Sequence, residues 1–123
     1  MGFDETRMDI IGQNGNDGDH YEDGVKYDAE KPEFDLIPPL MELEVAKVLT
    51  VGAQKYSPDN WRRVPDLRRR YISAARRHIN ALQQGITYDD ETGLHHAAHA
   101  VCCLMFLGEV ELEAGGVESA PFA

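Results

Sequence analysis

The densest chemistry in this sequence lies in DDETGLHHAAHAVCCLMFLGE, where Asp89, Asp90 and Glu91 run shortly ahead of His95, His96 and His99. Carboxylates and imidazoles in such close succession can hold a divalent metal ion. On a helix His95 and His99 stand four apart and His96 and His99 three apart, so either pair shares a face. Adjacent His95 and His96 diverge by about 100 degrees, so at most one pair that includes His99 can serve one ion. The same residues also suit a plain helix start, with the acidic run complementing the amino-terminal dipole and the histidines packed against the neighbouring alanines. Spacing alone leaves both readings open.

Two further carboxylates lie in LMELEVAKVL. Glu42 and Glu44 are two apart and point to nearly opposite sides of a helix, so only one can face a site. Glu42 shares a stripe with Pro38, Val45, Ala46, Leu49 and Ala53, where a carboxylate is costly unless a metal or cation pairs with it. Glu44 lies one turn before Lys47, which suits a surface ion pair. Cations and aromatics are grouped twice. GVKYDAEKPEFDLIPP carries Lys26, Lys31 and Asp35 in a segment too irregular for a helix, and GAQKYSPDNWRR brings Lys55, Tyr56, Asn60 and Trp61 together. The second group can hold a base and a phosphate, or equally be a loop pinned by one buried tryptophan.

Other motifs are excluded. DHYEDGVKYDAE approaches a calcium loop, but Tyr21 and Lys26 replace required residue types and no helices flank it. No glycine-rich phosphate loop, paired-glycine dinucleotide fingerprint, His-Glu-x-x-His or His-Asp dipeptide occurs.

The elements that must position these residues are three helices. Pro38 and Pro39 open the first, which runs to about Lys55. Asp66 suits the amino-terminal cap of the second, Gly85 its stop, and Leu67, Tyr71, Ala74, Ala75, His78, Ile79 and Leu82 form its apolar stripe. The third is expected to start between Glu91 and Leu94 and to run to about Leu112. Strand signals are confined to short pieces such as GVKYD and EFDLI. The fold class is all-α, a small helical bundle with an irregular amino-terminal segment. Residues 1–23 read as a flexible acidic arm, 24–112 as the domain and 113–123 as a flexible tail.

At 123 residues the chain has room for one core, and a net charge of -10 argues against tracking a nucleic-acid backbone. If phosphate is bound, a metal must help neutralise it. Adjacent Cys102 and Cys103 fit neither a disulfide framework nor a zinc ligand set, so they read as reduced core residues of a cytoplasmic protein. The first residues lack the basic start and apolar core of a signal peptide, and no apolar run is long enough for a bilayer.

Taken in order and spacing, GVKYDAEKPEFDLIPP, VLTVGAQKYSPDNW, RRHINALQQG and DDETGLHHAAHA resemble the phage dATP/dGTP diphosphohydrolases, relatives of the MazG-like all-α nucleotide pyrophosphohydrolases. The likeness is nearest to the cyanophage MazZ type, which acts on guanine nucleotides, and covers about Gly24 to Leu107. It implies hydrolysis of a purine (deoxy)nucleoside triphosphate, dGTP or GTP foremost, to the monophosphate and pyrophosphate. It also implies a divalent metal, Mg²⁺ or Mn²⁺, and a homo-oligomer, dimer or tetramer, in the host cytoplasm. MazG-like enzymes hold magnesium with a Glu-Glu-x-x-Glu helix and a Glu-x-x-Asp helix. Here Glu44 takes the last glutamate of the first motif while Leu40 and Met41 take the earlier two, and His96 and His99 occupy the place of the second pair. Imidazole suits manganese or zinc better than magnesium, and Glu91, Asp89 or Asp35 would supply the missing oxygens.

The expectation that the resemblance carries is therefore specific. Glu44 and Glu91 are the catalytic carboxylates and hold metal together with His96 and His99, and a water attacks the α-phosphorus. Lys26, Lys31, Lys55 and Arg77 meet phosphate oxygens, while Tyr56, Asn60 and Trp61 lie near sugar or base. The alternatives are a metal phosphohydrolase that releases orthophosphate, and a non-catalytic oligomeric interaction module with an acidic surface.

Overall fold

Proline and glycine punctuation sets the helices, and the computed structural model describes them within residues 23–115. Helix α1 spans Pro39–Lys55, with proline in its first turn, where a missing N–H costs nothing. Helix α2 spans Leu67–Gln83 and α3 spans His96–Ala114. Single helical turns lie at Phe34–Leu36 and Asn60–Arg63. Among the described residues there is no strand, so the all-α class holds, and the extended piece expected at EFDLI is instead the first of these turns.

The chain divides into two units, Met1–Lys31 and Pro32–Ala123. In the described part of the first, the Lys31 N–H donates to the Asp28 carbonyl at 3.1 Å, and Lys26 and Lys31 are exposed. The arm expected over 1–23 lies, but for Asp23, outside the described residues, as does the expected tail beyond Gly115.

In the second unit α3 packs along α2 and, less extensively, on α1. The helices α2 and α3 run antiparallel: His78 meets His96, Tyr71 meets Phe106, and Arg68 pairs with Glu111. The seams that α3 makes with α2 and α1 are lined by small side chains, since Ala75, Ala98, Ala100, Cys102 and Cys103 are the buried apolar residues. Small residues let two backbones approach closely, which brings longer side chains at either end of the seam into contact. Ile79, expected on the buried stripe, is 45% exposed, at the edge of a stripe on which Leu67, Tyr71, Ala75, His78 and Leu82 are covered at least in part. The cysteines are free and buried as expected, and burial, with Cys103 adjoining, pushes the Cys102 thiol up to about 12. Such a thiol is inert at neutral pH. No helix of the described residues is long and apolar enough to cross a membrane.

Two helix starts differ from expectation. Asp66 stands at the cap position of α2 but in the left-handed region at φ 58, and its side chain makes no capping bond. The third helix begins at His96, later than Glu91 to Leu94. Asp89 explains the delay, because its Oδ2 accepts from the N–H groups of Glu91 and Thr92 at 3.1 and 2.9 Å and so closes a turn of its own. Asp and Asn side chains compete with helix in this way. Gly93, at φ 72, lets that turn reverse, and its N–H donates to the Asp89 carbonyl at 2.8 Å. The acidic run therefore forms a pinned loop ahead of α3 rather than its first turn.

Candidate functional site

The loop delivers Asp89 to the end of the α2–α3 seam, where three histidines converge. His78 Nδ1 lies 2.8 Å from His96 Nδ1. The His78 and His99 rings stack with centroids 4.6 Å apart and an interplanar angle of 10°. His99 Nε2 lies 2.7 Å from the Thr92 hydroxyl, which in turn donates to Asp89 Oδ2 at 3.0 Å. One ligand atom each from His78, Asp89 and His96 falls within 4.8 Å of the others, the geometry of a group able to hold a metal ion. His96 is buried at 8% exposure, and the others are half-buried.

Burial disfavours the charged form of two of these rings. Desolvation, followed by the neighbouring His99 and His96, lowers the pKa of His78. Desolvation likewise lowers that of His99, with Asp89 opposing. Neutral imidazole offers the lone pair that a metal or a proton needs. For Asp89 burial raises the pKa, but hydrogen bonds from the Thr92 N–H and hydroxyl, with the two histidines, outweigh it and leave the carboxyl below its ordinary value. The site thus holds a carboxylate beside imidazole nitrogen donors, a set that fits a borderline first-row ion.

The other expected residues occupy different surroundings. Glu91 is exposed and pairs with Lys55 at 2.7 Å, and that hydrogen bond raises the lysine pKa. Glu44 pairs with Lys47 at 2.9 Å. It stands on the half-buried stripe of α1 with Met41, Val45 and Val48, while Glu42 is exposed, which reverses the expected placement on the apolar side. The side of α1 that α3 covers includes Val45, whose carbonyl lies 3.6 Å from Cys102 Sγ. Lys47, with Leu43, Ala46, Thr50 and Val51, lines a groove of about 420 Å³ that Thr92 and Leu94 close. Asp35 is exposed in its helical turn.

Trp61 stacks on Phe106 at 4.6 Å with the Arg62 guanidinium 4.4 Å from its ring centre. These contacts suit the reading in which the indole pins the loop. Asn60 opens its helical turn with its N–H on the Ser57 carbonyl at 3.2 Å. Tyr56 is exposed, with the Lys55 ammonium 5.2 Å from its ring centre. Arg77 donates to Ser73 Oγ at 3.1 Å and lines an open arginine-rich groove on α2 with Arg69 and Arg76. Lys26 and Lys31 belong to the other unit.

His95 is the cap of α3 and not a helical residue. Its Nδ1 accepts from the Ala97 N–H at 3.0 Å, and its ring meets Tyr88 edge-on. Sequence reasoning missed His78 and Thr92. His78 sits at core spacing on the α2 stripe, where an imidazole reads as packing; the signal was that it is the one basic ring on a stripe facing a histidine-bearing helix.

Comparison with known proteins adds an independent line. The family described as dATP/dGTP diphosphohydrolase, N-terminal, matches residues 21–120. A protein of Salmonella phage PMBT28 named dATP/dGTP diphosphohydrolase is 45% identical over 84 residues, covering 68% of this chain and 28% of that protein. The chain thus spans little more than a quarter of that relative's length. No solved structure matches the chain.

Proposed function

The chain belongs to the dATP/dGTP diphosphohydrolase family, and on that premise we propose that it hydrolyses a purine deoxynucleoside triphosphate, dGTP foremost, to the monophosphate and pyrophosphate with a divalent metal ion. The observation that carries this reading is the convergence of Asp89 with His78, His96 and His99 at one end of the bundle. A bound divalent ion would supply charge neutralisation at the phosphate oxygens and a more acidic attacking water. The water oxygen bonds to the α-phosphorus as the bond from that phosphorus to the bridging oxygen breaks, and pyrophosphate departs. The water proton passes to the imidazole of His99, the ring of the cluster that stands outside the metal-holding group.

The ion pairs around this end have a natural part. Lys55–Glu91 and Lys47–Glu44 are solvent-accessible pairs, which contribute little to stability, so a metal-bound triphosphate can exchange them. The lysines then turn to phosphate oxygens, and Glu44 and Glu91 to the ion that accompanies the nucleotide. Arg77 is a further phosphate contact in this reading, with Tyr56 and Asn60 beside sugar or base.

The active form is a homo-oligomer. A single chain fully buries no large side chain among the described residues and exposes Val101, Leu104, Met105 and Leu112 on α3, a face that a second copy would cover. The test of the reaction is product identification across the common ribo- and deoxyribonucleoside triphosphates with Mg²⁺ and with Mn²⁺. Pyrophosphate from dGTP is expected; orthophosphate as first product, or no product from any nucleotide, would overturn the reading.

A further inference from the structure

We propose that His78, Asp89 and His96 form a binding site for one first-row transition-metal ion of the zinc class, selective against Mg²⁺ and filled without any nucleotide. This deepens the reading above and rests on it for the ion's use, while the binding itself is measured without substrate.

The donor set comes first. Two imidazoles and one carboxylate suit Zn²⁺ or Mn²⁺, whereas Mg²⁺ takes oxygen ligands and keeps most of its water. Three protein ligands also leave a coordination position open, the mark of a site that takes water or a phosphate oxygen. The geometry comes second. Two nitrogens bound to one tetrahedral zinc at about 2.0–2.1 Å stand about 3.3 Å apart. The Nδ1 atoms of His78 and His96 face each other at 2.8 Å, so the rings need part by only about half an ångström. Without an ion that contact requires one imidazole to carry its proton on Nδ1 and the other on Nε2; an ion takes both lone pairs and removes the constraint.

The surroundings are those of a built site. Asp89 Oδ2 accepts three hydrogen bonds, from the Glu91 N–H, the Thr92 N–H and the Thr92 hydroxyl, which fixes the carboxylate and leaves Oδ1 free of them. The Thr92 oxygen also meets His99 Nε2, whose ring lies flat against His78. Thr92 and His99 are therefore positioning residues, holding the orientation of one ligand each, a role that outer-shell partners of metal ligands commonly have. The ligands come from α2, from the loop and from the start of α3. A metal that joins three elements stabilises the folded chain by mass action.

The experiment uses the full chain, treated with chelator, dialysed and titrated with Zn²⁺ alone by calorimetry, with melting followed in Zn²⁺, Mn²⁺ and Mg²⁺. One Zn²⁺ per chain is expected, with Tm raised by Zn²⁺ and Mn²⁺ well beyond any effect of Mg²⁺. His78→Gln and His96→Gln should each weaken Zn²⁺ binding roughly 100-fold or more. His95→Asn, which keeps a capping side chain, should leave it unchanged. Co²⁺ added to the wild-type chain should give visible absorption of nitrogen-ligated metal, a readout that survives even if the glutamine variants fail to fold. Absence of that absorption, absence of Zn²⁺ binding, or undiminished affinity in the double His78→Gln, His96→Gln chain would overturn the site. Zn²⁺ binding by a chain that releases no pyrophosphate would remove the reaction and keep the site; turnover with Mg²⁺ by a chain that binds no Zn²⁺ would do the reverse.

Discussion

The two ends of the α2–α3 seam are built by the same helices from opposite chemistries. At one end Phe106 is stacked by Trp61 at 4.6 Å and met edge-on by Tyr71 at 5.3 Å, with Arg62 and Glu113 closing the outside. At the other His78, His96 and His99 crowd together beside Asp89. Away from both ends the buried apolar residues are alanines and cysteines, which permit close approach. The aromatic end lowers the free energy of the fold by burial and dispersion. The histidine end desolvates four polar groups and gains only hydrogen bonds in return. Stability and chemistry are thus separated along one helix pair, and perturbations at either end should read out differently.

The largest difference should appear on metal removal. Exhaustive chelation should abolish pyrophosphate release while the aromatic end keeps the chain folded, and Mn²⁺ should restore turnover at least as well as Mg²⁺. Full activity in the chelated protein would dissolve the distinction. Next comes Phe106→Ala, which strips the centre of the aromatic cluster. It should destabilise the chain by about 3 kcal/mol in denaturant unfolding. The affinity of the folded fraction for Zn²⁺ should hardly change, and a large change there would mean that the two ends are coupled.

A smaller effect is expected from Glu44→Gln, which keeps shape and removes a charge. Turnover should fall roughly 100-fold with Tm nearly unmoved. Wild-type rates would leave Glu44 as no more than the partner of Lys47. The smallest effect belongs to Arg62→Met at the aromatic end, where a solvent-accessible pair with Glu113 and contact with Trp61 are lost. At most a small fall in Tm is expected, with turnover unchanged.

How much of this was legible in the sequence varied with the kind of interaction. The prolines ahead of α1 and the periodicity of α2 gave those helices, because local rules govern both. The start of α3 was misplaced because Asp89 satisfies its own turn, a competition that composition does not reveal. The phase of α1, which put Glu44 and not Glu42 on the half-buried side, depends on where α3 lands. His96 and His99 were legible as a pair at helical spacing, yet His78 became visible only once antiparallel packing set it against them. Trp61 admits two readings in the sequence, and its contact with Phe106, distant in sequence, is one that only the packed chain reveals.

The central claim is that Asp89 and the histidines form the reactive end of the bundle. The most direct test follows pyrophosphate release from dGTP in Mn²⁺ by wild-type chain and by Asp89→Asn, with folding of both checked by circular dichroism. The amide can still accept the loop hydrogen bonds, so the account predicts a folded variant whose release falls about 1,000-fold, equivalent to about 4 kcal/mol on the barrier. Release by a folded Asp89→Asn chain at the wild-type rate would contradict it.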